Sequence, residues 1–164
     1  MAAQLGASAT AARAHEELFA YWASLRQAGR LPGRADINPE GFKRLLPTIS
    51  LIDVLSGDGR RDYRLRLAGT GLYNVYGREI TGRALSDVYG ARAAEYWREE
   101  LDRIVADGRP GVGCHNLAWR GAGHMSLLWL RLPLASNGKD VDMILGYDAV
   151  VGLQGDLGSG IRAA

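Results

Sequence analysis

The sequence is poor in several things, and each shortage excludes something. It has one cysteine, Cys114, and three histidines in 164 residues. A single thiol rules out an intramolecular disulfide and any multi-cysteine zinc or iron–sulfur site, and fits a cytoplasmic protein. No stretch approaches the roughly 18 apolar residues that a membrane span needs. Residues 1–12 lack both a basic and an apolar region, so they are expected to form a flexible lead-in rather than a signal peptide. Residues 152–164, rich in glycine, are expected to be a flexible tail, leaving 13–151 as a single domain. Charge of one sign is also missing: 20 basic and 18 acidic side chains give +2. Neither nucleic acid nor membrane is therefore expected as a partner. Arg60, Arg61, Arg64 and Arg66, with Asp58 and Asp62 among them, read as a solvated strand face. There is no Gly-x-Ser-x-Gly elbow, no His-Glu-x-x-His and no phosphate loop, so no enzymatic activity is expected.

What is present is a clear alternation of helical and strand patterns. Leu18, Tyr21, Trp22 and Leu25 recur at helical spacing between about Arg13 and Ala28. Asn38-Pro39-Glu40 starts a short helix that Pro47 ends, since it supplies a capping amide, a proline at the first position and an acid in the first turn. Ile49–Leu55 and Arg61–Ala68 read as a hairpin across Ser56-Gly57-Asp58-Gly59. The second strand places Tyr63, Leu65 and Leu67 on one face and Arg64 and Arg66 on the other. Glycines 69, 71, 77 and 82 break the next stretch into short pieces. Arg92–Ala106 is a helix with Ala94, Trp97, Leu101, Ile104 and Val105 on one face and a Glu99–Arg103 pair on the other. Three strands follow, at about 111–120, 125–135 and 141–151, the last two joined by an Asn-Gly turn. The order implies an α+β domain built on a five-stranded antiparallel sheet.

The segment Arg64–Tyr89, RLRLAGTGLYNVYGREITGRALSDVY, resembles the core of a PAS domain. Tyr21-Trp22, Leu25-Arg26, Leu31-Pro32, Arg34, Asp36, Pro39, Leu46-Pro47 and Asp53 resemble more narrowly the short bacterial PAS_5-type proteins, and the likeness spans about Leu18 to Val151. It implies a five-stranded antiparallel sheet with helices on one face, and the amphipathic N-terminal helix is the expected cover of the other. It also implies a sensory or regulatory role without fixing a cofactor. The flavin photochemistry of some PAS domains needs a cysteine in the helical insert, whereas Cys114 falls on a later strand. Haem-binding PAS domains commonly use a histidine on the long helix, and Arg92–Ala106 has none. His115 is either a haem or other ligand donor or an ordinary strand residue.

Tyr73, Tyr76, Trp97, His115 and Trp119 are the candidate lining of a small-molecule pocket, and the same aromatics equally suit a plain core. Asp53 interrupts an apolar strand, either as a solvent-facing acid or as a buried partner of Arg64 or Arg66. The strand 125–135 is apolar on both faces: Leu128, Leu130, Leu132 and Leu134 on one, Leu127 and Trp129 on the other. The second face needs a cover. Leu18, Tyr21, Trp22 and Leu25, with Leu127 and Trp129, are therefore the expected homodimer interface, whether the helix covers its own sheet or a partner's. The reading is a stand-alone sensory or regulatory module for a small molecule or a signalling partner. The alternatives are a ligand-free dimerisation adaptor and a small pocket enzyme.

Overall fold

Alternation and turn chemistry place the strands where the sequence puts them. In the computed structural model, which describes residues 2–57, 59–118 and 121–152, β1 (Ile49–Gly57) and β2 (Arg60–Ala68) form the expected hairpin. One irregularity breaks its alternation. Leu65 pairs with Ile52 but Leu67 pairs with Leu51, so Arg66 is an extra residue and Leu67 turns to the side opposite Leu65. Leu67 is exposed while Tyr63 and Leu65 are buried, which corrects the expectation that all three share a face.

The chain then crosses the sheet through α2 (Thr70–Tyr76), α3 (Leu85–Val88) and α4 (Ala91–Asp107). Gly108, at φ +60°, ends α4 in the left-handed conformation that glycine adopts most readily. β3 (Gly111–Leu117), β4 (Ala122–Leu134) and β5 (Met143–Gly152) complete a sheet of order β2-β1-β5-β4-β3 with every neighbour antiparallel. The hairpin and the last strand thus meet at the centre.

Register assigns the two faces. Ser50, Gly146 and Arg131 lie side by side across β1, β5 and β4, and Trp129 lies beside Asp148. These residues face the insert helices, because the Arg131 guanidinium lies over the Trp97 ring of α4 and Trp129 packs 5.3 Å from it. The opposite face carries Leu51, Leu145 and Leu132 in one row and Ile49, Tyr147 and Leu130 in the next. α1 (Ala2–Ser24) lies against that face: the Trp22 Nε1–H donates to Pro133 O at 2.9 Å, and His15 meets the edge of Tyr147. The helix begins at Ala2 rather than near Arg13, since the alanine-rich stretch before it favours helix. The tail expected from residue 152 lies, beyond Gly152, outside the described residues.

A 3-10 segment, Pro39–Thr48, joins α1 to the sheet, with Asn38 Oδ1 accepting from Glu40 N as its cap. It runs one residue past Pro47 and kinks at Phe42. The Tyr21 hydroxyl fastens α1 to it, accepting from Asn38 N at 2.8 Å and donating to Asn38 O at 3.1 Å. Among the described residues no helix is long and apolar enough to cross a membrane.

Candidate functional site

The inner face of the sheet would be ordinary apolar core but for three buried polar residues. Ser50, Arg131 and Asp148 are 1%, 2% and 1% exposed, and with Tyr76 and Tyr89 they line a cavity between the sheet and α2–α4. Ile52, Leu65, Leu72, Ile80, Leu85 and Leu101 close it. The cavity measures about 10 Å³, the scale of a single water molecule.

A salt bridge organises the polar side. Arg131 Nη1 donates to Asp148 Oδ1 at 2.8 Å and to the backbone oxygens of Leu130 and Tyr147 at 3.0 and 3.2 Å. Trp97 and Trp129 flank the guanidinium, whose Cζ lies 4.7 and 5.9 Å from their centroids. Burial works against the arginine's charge, but the adjoining Asp148 carboxylate holds its pKa above the ordinary value. The pair fits because position 146 is glycine. A Cβ there would collide with Ser50 Oγ and crowd Arg131 Nη1 at 3.1 Å, a tight contact that the guanidinium would have to relieve.

The aromatic side is continuous. The Tyr76 and Tyr89 hydroxyls hydrogen-bond at 2.9 Å, and Tyr89 stacks on Trp97 at 5.8 Å. Burial first, then the neighbouring Tyr89 and Asp148, push the Tyr76 hydroxyl well above its usual range. Tyr89 is raised likewise, by burial and then by Asp148. Both are neutral donors at any physiological pH. On the far side Tyr96 stacks on His115 at 4.4 Å and accepts from Trp129 Nε1 at 3.0 Å. Burial lowers the His115 pKa, so its ring is held neutral. Its buried Nε2 has no hydrogen-bond partner.

Of the five residues expected to line a pocket, Tyr76 and Trp97 do so. His115 touches the edge of Trp97 at 5.8 Å from β3 without reaching the cavity. Tyr73 is 55% exposed: on seven-residue α2 the buried positions are Leu72, Val75 and Tyr76, and Tyr73 points outward. Trp119 lies outside the described residues. The residues expected at an interface separate into two groups. Leu18 and Trp22 are buried against the chain's own outer sheet face, with Tyr21 and Leu25 partly buried beside them. Leu127 and Trp129 are buried on the inner face instead, which corrects their assignment beneath α1. Parity along β4 groups residues correctly but does not say which group meets which helix. Cys114 is exposed and pairs with Leu128, on the face away from the cavity.

Asp53 is 7% exposed and lies between Arg64 Nη2 at 3.0 Å and Arg66 Nη1 at 3.5 Å, so it is the buried partner across the hairpin. Sequence reasoning missed Ser50, Tyr89, Arg131, Gly146 and Asp148. One signal was there: Arg131 is a charge inside an apolar run, as Asp53 is. Among the described residues no three His, Cys, Asp or Glu side chains cluster as a metal site would require.

A helix-crossed antiparallel sheet with a partly polar interior under the insert helices is an α+β architecture. The sequence family described as PAS domain, PAS_5, matches residues 10–148, and the chain belongs to it. PAS domains are typically sensory or signalling modules. No curated protein matches the chain. Among solved structures, the PAS domain of a protein from Colwellia psychrerythraea is 11% identical, with 70% of this chain and 98% of that one covered and a TM-score of 0.51. The PAS domain of BvgS from Bordetella pertussis is 17% identical over 70% of this chain and 85% of that one, with a TM-score of 0.49. At 11% identity the likeness to the Colwellia psychrerythraea domain shows the fold alone.

Proposed function

We propose that the chain is a sensory or regulatory module that receives a small molecule between α2–α4 and the inner sheet face. The observation that carries this reading is the set of polar groups at the cavity. A core that served only for packing would gain nothing from a buried ion pair, since an apolar replacement of similar volume is often as stable or more so. α2 and α3 are too short to be stable alone and depend on what they pack against. A ligand that favours one of two placements of these helices shifts the balance between them, and the shifted surface is the signal.

A second reading, a ligand-free adaptor that acts through its surface alone, is favoured by the small size of the cavity. The native mass of the purified protein, compared with its denatured mass, separates the two. A reproducible non-covalent adduct is the expected result. A bare protein from every expression condition gives the adaptor reading precedence, and its oligomeric state then tests the expected homodimer.

A further inference from the structure

Three side-chain atoms at the cavity have no hydrogen-bond partner: Ser50 Oγ, Trp97 Nε1 and Arg131 Nε. Their residues are 1%, 1% and 2% exposed, so bulk water does not serve them. They are close together. The Arg131 guanidinium lies over the Trp97 ring at 4.7 Å, and Ser50 and Arg131 face each other across the missing Cβ of Gly146. The indole and guanidinium N–H groups only donate, whereas the serine hydroxyl does either. An oxygen with two lone pairs can accept from two N–H donors at once, and the cavity that these three residues line with others is about 10 Å³, the scale of one such atom.

Charge narrows the class. Arg131 is already balanced by Asp148 at 2.8 Å, so a carboxylate would bring an unpaired negative charge into the core. A cation has nothing to offer two donors. The walls are aromatic and aliphatic.

Resting on the receptor reading above, we propose that this site recognises the carbonyl oxygen of a small uncharged molecule, which accepts from Trp97 Nε1–H and Arg131 Nε–H beside Ser50 Oγ. The rest of the molecule lies beneath α2 and α3, which move outward to admit it.

The test uses the indole N–H resonances of the ¹⁵N-labelled full-length protein. Trp22 is the internal control, because it lies on the opposite sheet face with its indole already bonded to Pro133 O. The protein is titrated with benzamide, benzoate and toluene, which share a ring and differ in the group presented. Benzamide is expected to shift the Trp97 resonance saturably, with toluene about tenfold weaker for want of the hydrogen bonds and benzoate giving no saturable shift. Trp97→Phe keeps an aromatic ring but removes the reporter, so it is read by the backbone amide shifts of Ser50 and Arg131, and it is expected to weaken benzamide about three- to tenfold and toluene less. Ser50→Ala, a smaller change, is expected to weaken benzamide in the same direction.

A Trp97 resonance that benzamide leaves unmoved up to about 10 mM, where even millimolar ligands saturate, overturns the proposal. Equal binding of toluene or benzoate overturns it too. If such a failure comes with a native-mass adduct of other chemistry, the receptor reading stands and only the carbonyl assignment falls. Failure with no adduct removes both.

Discussion

At the residue scale, the Arg131–Asp148 pair is the costliest feature to disturb. Arg131→Met leaves a carboxylate buried without its partner, and the expected loss is about 3–5 kcal/mol of unfolding free energy. Replacing both, as Arg131→Met with Asp148→Leu, is expected to cost much less than the sum of the single changes. Urea titrations of the four proteins form the cycle that measures this, and additive losses would show that the two side chains act independently. Gly146 supplies a second case. Gly146→Ala drives a methyl group into Ser50 Oγ and is expected to lower the unfolding midpoint, while adding Ser50→Ala should recover part of the loss. If the double variant is no better than Gly146→Ala alone, the clash lies elsewhere.

At the element scale, α4 is pinned to β2 by side chains. The Tyr63 hydroxyl donates to Asp102 at 2.5 Å, and Arg98 reaches Asp62 at 3.3 Å and the Arg61 carbonyl oxygen at 2.9 Å. Tyr63→Phe removes the first link with no change in packing, for an expected loss of about 1 kcal/mol. Thermal unfolding reads it, and an unchanged midpoint would mean that the bond contributes nothing. The Glu99–Arg103 pair read from helical spacing does not form, because Arg103 turns to Glu100 at 3.1 Å. The elements themselves were legible in the sequence, because alternation in β2, helical spacing in α4 and glycine-marked turns are local signals. The polar cavity was not. Arg131 and Asp148 are 17 residues apart, and only the register of β4 against β5 brings them together. The facing of Trp129 was hidden for a related reason, since a strand apolar on both sides carries no sign of which side meets α4. The bulge at Arg66, which turns Leu67 outward, also left no mark in the pattern.

At the scale of the whole molecule, two histidines set a pH response. Burial lowers the pKa of His15, which α1 packs against Tyr147, and of His115, packed among Tyr96 and Trp97. Their folded pKa values therefore lie below the ordinary 6.5. As pH falls through 6.5 the unfolded chain takes up protons that the folded chain refuses. Stability contributed by the neutral rings is thus complete above that pH and declines below it. The melting temperature is expected to drop between pH 7.5 and 5.5, and His15→Gln with His115→Gln should flatten the drop. An equally steep fall in the double variant would assign it to other groups. The placement of α1 gives a further expectation. Leu18 and Trp22 bury the outer face within one chain, so removing residues 1–24 should expose Leu51, Leu132 and Leu145 and raise the binding of a hydrophobic dye. A truncated protein that stays dye-silent would show that the sheet does not need this cover.

The charged pair inside the sheet also bears on how this sequence can change over time. Ser50, Arg131, Gly146 and Asp148 sit on three neighbouring strands, and each is fitted to the others. A lineage that lost Arg131 alone would forfeit about 3–5 kcal/mol, a large part of the roughly 5–15 kcal/mol that holds a domain folded. A lineage that gained a side chain at Gly146 would first need a smaller residue at position 50. Drift toward an apolar core therefore has no cheap single step, and descendants of this chain should carry the four positions forward together or replace them together.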